Sequence, residues 1–352
     1  MNRVLKRLTV TVIAICMCMS FVSYAAPSSG ADWYATTRVN IRKQPNTESG
    51  IAATIDAGQA VTYVERVNDE WSKVKYNGGT YYVASRYFSD KKTGQTATAS
   101  GDGQLISFNK SWKYAEYSAI NSGNAVLYKA KTNRKNITIG VNAGHGTKGG
   151  DAVKTYCHPD GSAKVTGGST SAGAIKATAV SSGMTFNDGT PEPKVTLRQA
   201  QILKEILLAD GYDVLMLRDG DDVQLDNVAR TVMCNNLANC HIALHWDGDG
   251  LGYDKGCFYM SVPNGIKNMA PVSSVWQLDN QLGNCLITGL KGRGLKIFGD
   301  GYMDIDLTQT SYSSVPSVDI ELGNQNSTHT DSDLYERAYG ILAGINKFFG
   351  KA

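Results

Sequence analysis

Four side chains with metal-binding or proton-carrying chemistry lie beside segments of predicted regular structure. His145 lies between two glycines in "NITIGVNAGHGTKGG", just after an alternating apolar run. His245 stands near the end of the apolar segment "HIALHW", and Glu321 near the end of "SVDIEL". Glu192 lies where the loop "GTPEPKVTL" turns into an amphipathic helix. Because ligands of open α/β sheets bind beyond the carboxyl ends of the strands, these four residues can share one site.

The residue types in this set are those of a metal-dependent hydrolase. Catalytic zinc generally takes three protein ligands from histidine and acidic side chains and keeps one position open for water. Two neutral imidazoles and one carboxylate leave the ion a net positive charge, which lowers the pKa of its water to about 7. A further carboxylate nearby carries the proton. The glycines beside His145 remove side-chain bulk where the ion and the substrate approach. The alternative for each residue is a structural role.

Two further histidines are less suited to this site. His241 precedes His245 by four residues, and on a strand this spacing separates them by about 13 Å, so they cannot bind one metal ion. We therefore interpret His241 as structural. His158 lies in a long segment between His145 and Glu192 and could reach the site, but we expect it to be structural or solvent-exposed.

From residue 136 onward, predicted strands alternate with amphipathic helices. The segments "NITIGVN", "YDVLMLR", "HIALHW" and "SVDIEL" are typical of strands. Helices are predicted in "TLRQAQILKEILLADG", "LDNVARTVMCNNLA" and "DLYERAYGILAGINKFFG". The pattern predicts an α/β domain over residues 136–352, with a mixed sheet and helices on both faces, of a phosphorylase- or hydrolase-like kind.

Residues 32–89 predict a different architecture. "RVNIRKQP", "GQAVTYVERV" and "EWSKVKYNGGTYYVAS" alternate apolar and polar residues, and "NGG" is a hairpin signal. A module of this length, rich in short strands and aromatic residues, predicts a small all-β barrel. Residues 90–135 are interpreted as a linker and connecting segment, with a flexible stretch at 90–103 and a short helix in "SWKYAEYSAINSG".

The first 26 residues resemble a targeting signal rather than a folded segment. Three basic residues precede the apolar run "LTVTVIAICMCMSFV", and "SYAA" supplies small residues for cleavage. We expect export and no transmembrane anchor after signal removal; a retained membrane anchor is the alternative. The chain has 352 residues, enough for two domains, and its net charge of +3 gives no argument for a nucleic-acid partner.

Five cysteines remain beyond the signal segment, and their odd number leaves at least one thiol unpaired. No CxxC spacing occurs, so a thiolate zinc site is not expected. The sequence is compatible with one or two disulfides and, as the alternative, with five unpaired and buried thiols. The five are Cys157, Cys234, Cys240, Cys257 and Cys285.

The N-terminal module resembles the bacterial SH3-like domain family. Asn40, Ile41, Arg42 and Pro45 stand where that family has "LNVRSGP", and "EWSKVKYNGGTYYVASRYF" is similar to its "GWYKVxYNGxxGWVxxxYL" ending. The resemblance implies a domain that contacts cell-wall peptide or glycan. The alternative is a spacer whose aromatic residues form only its core.

The C-terminal domain resembles the zinc-dependent N-acetylmuramoyl-L-alanine amidases of type 3. "ITIGVNAGHGTKGG" is similar to "VVIDPGHGG", and "EPKVTLRQAQILKEILLADGYDVLMLR" to "EKDVNLxxAxxLxxxLxxxGxxVxxTR". "LDNVARTVMCNNLANCHIALHWD" is similar to "LxxRxxxANxxxADxFxSIHxN", with Arg230 in register, and "VPSVDIELGNQNS" to "PAVLVExGFxSN". The resemblance implies zinc bound by His145, Glu192 and His245, with Glu321 as general acid and base.

The same resemblance implies a secreted hydrolase acting on peptidoglycan, at the amide between N-acetylmuramic acid and L-alanine. Three departures qualify the substrate fit: an insertion over 147–190, interpreted as a lid or substrate-selective wall; Asp247 in place of an asparagine; and Asn324 in place of an aromatic residue. A zinc peptidase cutting within the stem peptide and a non-catalytic wall-binding protein are the alternatives.

Overall fold

The computed structural model describes residues 27–35, 39–55, 59–68, 70–89 and 103–351. The predicted signal segment, residues 1–26, and most of the predicted linker, residues 90–102, lie outside the described residues. In the described part of the chain, no helix is long and apolar enough to cross a membrane.

The N-terminal module is an antiparallel sheet of seven short strands. These are β1 (Asp32–Ala35), β2 (Val39–Arg42), β3 (Ile51–Ile55), β4 (Ala60–Arg66), β5 (Trp71–Tyr76), β6 (Gly79–Ala84) and β7 (Phe88–Ser89), in the order β3-β2-β6-β5-β4-β1-β7. The predicted hairpin joins β5 and β6. Asn77 and Gly78 in its turn both have positive φ, 46° and 79°, as a two-residue turn with right-handed strand twist requires. The all-β prediction is therefore confirmed.

Aromatic side chains fill the centre of this module. Trp33, Tyr63, Trp71 and Phe88 are buried there, and the Trp33 ring packs edge-on against Tyr63 with centroids 5.1 Å apart. The buried members of the aromatic set act as core.

The C-terminal domain is built on an eight-stranded mixed sheet. Its strands are β8 (Gln104–Ser107), β9 (Asn124–Tyr128), β10 (Thr138–Ala143), β13 (Asp213–Met216), β14 (Cys240–Asp247), β15 (Cys257–Ser261), β16 (Ile297–Asp304) and β17 (Ser317–Asn324). The order is β16-β15-β17-β14-β10-β13-β9-β8. Strands β11 (Lys154–Tyr156) and β12 (Lys176–Thr178) form a separate hairpin pair within the insertion. The helices are α1 (Glu192–Ala209), α2 (Asn227–Leu237), α3 (Trp276–Gly292), α4 (Thr308–Tyr312) and α5 (Asp331–Phe348).

Helices cover both faces of this sheet, as predicted. Along β13, Val214 and Met216 join one core with α1, α3 and α5. The alternate residues Leu215 and Leu217 join a second core with α2. Because successive residues of a strand point to opposite faces, the two cores lie on opposite sides of the sheet.

The four central strands β13, β10, β14 and β17 are parallel to their neighbours in this group. Their carboxyl ends therefore meet along one edge of the sheet. His145 follows β10 and His245 lies near the end of β14. The sheet thus brings together residues that are 100 positions apart in sequence.

The connecting segment differs from the prediction. Residues 104–107 and 124–128 are strands that extend the sheet, and the expected short helix is reduced to a single 3-10 turn, Ala115–Tyr117. Pairing of β9 with β13 satisfies the backbone groups of that sheet edge. Residues 104–107 and 124–128 of the predicted connecting segment thus belong to the sheet of the C-terminal domain.

Candidate metal centre

The loop that carries His145 has an unusual backbone. His145 has φ of 64°, and Gly146 follows with φ of 70°. A left-handed conformation is uncommon for a residue with a Cβ and costs energy. Surrounding contacts must therefore hold this loop in place.

Two buried arginines supply those contacts. Arg230 donates to the carbonyl oxygens of Ala143 and His145, at 3.1 and 2.7 Å. Arg218 donates to the carbonyl oxygens of Ala143 and Gly144, at 3.2 and 2.9 Å. Burial lowers the pKa of Arg218 to about 10 and, together with the charge of Arg218, the pKa of Arg230 to about 9. Both guanidinium groups still carry their charge at neutral pH, and they fix the loop through charge-assisted hydrogen bonds.

His145, Glu192 and His245 converge beyond the strand ends. One ligand atom from each lies within 4.8 Å of the others. His145 Nε2 is 2.9 Å from Glu192 Oε2 and 3.0 Å from His245 Nδ1, and His245 Nδ1 is 3.2 Å from Glu192 Oε1. The side chains of His145 and Glu192 are 9% and 3% exposed. This trio is a set of atoms that could hold a metal ion.

Backbone groups hold the outer side of His145 and of Glu192. His145 Nδ1 lies 2.9 Å from the carbonyl oxygen of Ser181 and 3.1 Å from its Oγ; because the carbonyl oxygen can only accept, this contact favours the tautomer with the proton on Nδ1 and Nε2 free to coordinate. Glu192 Oε2 accepts from the backbone N–H of Met184 at 2.9 Å, and Oε1 from that of Trp246 at 3.0 Å. The carboxylate is thereby oriented before any ion arrives.

Glycines make room for this packing. A Cβ on Gly183 would lie 2.8 Å from Glu192 Oε2 and from the His145 ring. A Cβ on Gly144 would overlap the His245 ring. The donor set of two imidazoles and one carboxylate, packed in a space that admits no extra methyl group, fits the chemistry of a zinc site.

The electrostatics of the trio favour a bound cation. Burial acts to raise the pKa of Glu192, but hydrogen bonds and charges from His145 and His245 hold it well below its ordinary value. Burial acts to lower the pKa of His245, yet the charges of Asp319 and Glu192 raise it above its ordinary value. The negative groups around His245 therefore stabilise positive charge at this position, whether a proton or a metal ion.

Glu321 lies on β17 beside this trio. Its Cα pairs with that of His245 on β14 in the parallel register, and neighbouring strands are about 4.8 Å apart. A β-bulge follows directly. Asp247, two residues after His245 on β14, pairs with Asn324, which is three residues after Glu321 on β17. Bulges of this kind change the direction of a strand next to an active site.

The Glu321 carboxyl has the environment of a proton carrier. Its side chain is buried and Oε2 has no hydrogen-bond partner among the described residues. Burial raises the pKa of Glu321 well above its ordinary value, the charges of Asp319 and Glu192 raise it further, and Lys255 opposes them. Strongly perturbed carboxyls beside a cluster of ligands mark functional sites.

The two other histidines singled out in the sequence are buried, and only the His158 ring has hydrogen-bond partners among the described residues. His158 is fully buried, with Nε2 2.9 Å from Asp306 and Nδ1 2.8 Å from Ser162, so both ring nitrogens are occupied. His241 is also fully buried, and burial lowers its pKa to about 3. Neither belongs to the trio. The five cysteines are all free and buried.

The two positions that depart from the family pattern, Asn324 and Asp247, contact residues of the loop that follows β14. The Asn324 side chain is buried and donates to Asp249 and to the carbonyl oxygen of Tyr253. It therefore fixes this loop. Asp247 accepts from Lys255 Nζ at 2.6 Å.

The insertion has a role that its sequence did not show. Its final residues, Ser181, Gly183 and Met184, form the back of the ligand set through backbone atoms and close approach. Sequence reasoning missed them because backbone groups leave no residue-type signal. It also missed Asp319, although a residue two positions before Glu321 on a strand must share its face.

Comparisons with known proteins agree with this geometry. The family model for N-acetylmuramoyl-L-alanine amidase matches residues 139–347, and that for the bacterial SH3 domain matches residues 37–89. The chain belongs to the N-acetylmuramoyl-L-alanine amidase family, a class of enzymes.

Solved structures share the fold of the C-terminal domain. The amidase Ami1 from Mycobacterium smegmatis is 18% identical, with a TM-score of 0.52, over 62% of this chain and 98% of that one. Ami1 from Mycobacterium abscessus, in its apo form, is also 18% identical, with a TM-score of 0.51, over 61% of this chain and 99% of that one. At this identity the likeness establishes the fold.

A curated protein from Bacillus subtilis, the uncharacterized protein YfhK, is 28% identical over 81 residues, which is 22% of this chain. The chain spans about half the length of this curated relative, 47%.

Proposed function

We propose that this protein is a zinc-dependent peptidoglycan hydrolase that cleaves the amide between N-acetylmuramic acid and the L-alanine of the stem peptide. The observation that carries the proposal is the convergence of His145, Glu192 and His245 next to a buried, protonatable Glu321. Family membership supports the choice of bond and substrate.

His145 Nε2, His245 Nδ1 and a carboxylate oxygen of Glu192 would hold the ion. A zinc ion bound there supplies Lewis-acid polarisation of the scissile carbonyl and a water of lowered pKa. The chain's own contribution is orientation: Ser181 sets the His145 tautomer, and the backbone N–H groups of Met184 and Trp246 fix Glu192.

Glu321 is the proposed general base and acid. In its ionised form a carboxylate oxygen takes a proton from the attacking water, and in its protonated form it delivers that proton to the departing alanine nitrogen. The raised pKa of Glu321 supports this role, because a carboxyl whose pKa is raised toward the working pH accepts a proton more readily and can still return it. One group thus performs both transfers.

The N-terminal module supports an action at the cell wall. A bacterial SH3 domain that binds wall peptide or glycan would raise the effective substrate concentration for the hydrolase beside it. The same reasoning, with the basic and apolar pattern of residues 1–26, supports a proposed activity outside the cytoplasm.

The test is a digestion of purified peptidoglycan with the mature protein, with and without a chelator, followed by mass analysis of the soluble fragments. We expect chelator-sensitive release of intact stem peptides with a free N-terminal alanine, restored by added zinc. New termini within the stem peptide would instead identify a peptidase. Wall binding without released fragments would identify a non-catalytic binding protein.

A further inference from the structure

Asp319 is a second acidic residue that faces the ligand set. It lies on β17, and its Cα pairs with that of Ala243, two residues before His245 on β14. Its Oδ2 atom is 3.9 Å from His245 Nε2, and its side chain is 15% exposed. Its Oδ1 atom is buried and has no hydrogen-bond partner among the described residues. A partly exposed carboxylate with one buried, unsatisfied oxygen is costly and calls for a role.

The tautomer of His245 supplies such a role. Its Nδ1 atom faces His145 Nε2 at 3.0 Å and Glu192 Oε1 at 3.2 Å, so Nδ1 is the atom available to an ion. A neutral imidazole that coordinates through Nδ1 must carry its proton on Nε2. The Asp319 carboxylate lies on the Nε2 side of the ring.

The two ligand histidines are therefore supported alike. His145 coordinates through Nε2 and its other nitrogen faces the carbonyl oxygen of Ser181. His245 coordinates through Nδ1 and its other nitrogen faces Asp319. Partners of this kind on the far nitrogen fix the ring and increase its basicity as a ligand.

We propose that Asp319 is a positioning residue for the metal site, which holds the Nε2–H tautomer of His245 and so presents Nδ1 to the ion. At 3.9 Å the pair is a charge contact, a separation that a bridging water or a small side-chain rotation closes. The inference rests on the proposed zinc site and adds a residue to it.

The test measures zinc affinity by competition with a chromophoric chelator, for the wild-type chain and for Asp319→Leu, Asp319→Asn and Asp319→Glu. The leucine variant, which has no acceptor, should bind zinc about 10- to 100-fold more weakly. The asparagine variant keeps a neutral acceptor, so its zinc affinity should lie between those of the wild type and the leucine variant. The glutamate variant keeps a carboxylate and should recover part of the affinity that the leucine variant loses. Equal zinc affinity in the wild type and Asp319→Leu would overturn the inference.

Asp247→Asn is the matched control, since it removes a carboxylate from the end of β14 that pairs with Lys255 rather than with His245. A loss of zinc affinity in Asp247→Asn equal to that in Asp319→Asn would show a general charge effect and also overturn the positioning role. The melting temperature of each metal-free variant reports folding. If Asp319→Leu does not fold, the zinc affinities of the asparagine and glutamate variants are compared with that of the wild type instead.

Co²⁺ substitution gives a second readout, because its visible absorption reports ligand geometry. We expect altered bands in Asp319→Asn and wild-type bands in Asp247→Asn. Unaltered bands in Asp319→Asn count against the inference. A wild-type chain that binds neither Zn²⁺ nor Co²⁺ would instead reject the proposed function, so the two failures are distinguishable.

Discussion

Two buried histidine–carboxylate groups in this protein have opposite characters. In the first, His145 Nε2, His245 Nδ1 and the Glu192 carboxylate face one another. In the second, His158 lies 2.9 Å from Asp306, which also accepts from the backbone N–H of Val165 at 2.8 Å. The second group is closed by its own hydrogen bonds, whereas the first directs ligand atoms at a common centre.

The difference lies in what stands behind each ring. The Nδ1–H group of His145 donates to the Ser181 carbonyl oxygen. Nε2 is therefore left as an acceptor that faces the Glu192 carboxylate. Two acceptors face to face repel each other unless a proton or a cation lies between them. In the His158 group each ring nitrogen meets a partner that can complete a hydrogen bond. Burial of a histidine beside a carboxylate thus marks a metal site only when acceptors are left facing each other.

Substitution of the two histidines should separate the groups most sharply. His145→Ala should lose stoichiometric zinc and all peptidoglycan hydrolysis, because it removes one of three ligands. His158→Gln should retain zinc at one ion per chain and be less stable. Metal analysis after dialysis, together with the digestion assay, measures both. Zinc retained in His145→Ala or lost in a folded His158→Gln would reverse the assignment of the two groups.

The next largest effect concerns Glu321, the proposed proton carrier. Glu321→Gln keeps the size of the side chain but cannot carry the proton, so turnover should fall about 10²- to 10⁴-fold. Zinc content should remain at the wild-type value. A variant that hydrolyses peptidoglycan at the wild-type rate would exclude Glu321 as the proton carrier, and one that loses zinc would assign it a role in binding the ion.

Local sequence signals were sufficient for much of the fold. The Asn77-Gly78 pair fixed the hairpin because its positive φ angles demand those residues. The apolar face of α1 was readable, since Leu203, Ile206 and Leu207 recur at helical spacing and are buried. By contrast, β8 and β9 are short, and β9 pairs with residues of β13 that lie 86 to 90 positions further along the chain. Pairing over that distance leaves no local pattern.

The candidate metal site also has features that the sequence indicates and features that it does not. The types of His145, Glu192, His245 and Glu321 were visible as side chains at the ends of elements. The contacts that orient His145 and Glu192 come from the backbone of Ser181 and Met184 in the insertion, and a backbone group has no residue identity to read. The sequence therefore indicates which atoms do the chemistry better than it indicates what holds them.

A smaller effect tests the close packing of the metal site. Gly183 and Gly189 have nearly the same positive φ, 83° and 85°, but only a Cβ on Gly183 would meet Glu192 and His145. Each alanine variant has the same backbone strain, of order 1 kcal/mol. Gly183→Ala should in addition weaken zinc binding roughly tenfold, because the added methyl group would displace Glu192 and His145 from their positions in the ligand set. Chelator competition on both variants measures this, and equal zinc affinities would show that the space around Glu192 is not limiting.

The last prediction concerns the closed group and its response to acid. Burial acts to raise the pKa of Asp306, but hydrogen bonds from His158 and Val165 hold it below its ordinary value of 3.8. A carboxyl with a lowered folded pKa contributes stability above its unfolded pKa and loses that contribution as the pH falls through the folded value. Asp306→Asn should cost about 3 kcal/mol at pH 7, because it leaves a buried partner unpaired.

This difference in unfolding free energy between the wild type and Asp306→Asn should narrow below about pH 4, where the wild-type carboxyl begins to protonate. Denaturant unfolding of both proteins from pH 7 to pH 3 measures this difference directly, and titrating groups that do not interact with Asp306 cancel in it. A gap that stays constant over this range would mean that the charge of Asp306 does not stabilise the insertion. Zinc affinity at pH 7 should be the same in both proteins, because His158 and Asp306 bond to residues 162–166 of the insertion, whereas Ser181 and Met184, which contact the ligands, lie in a later part of it.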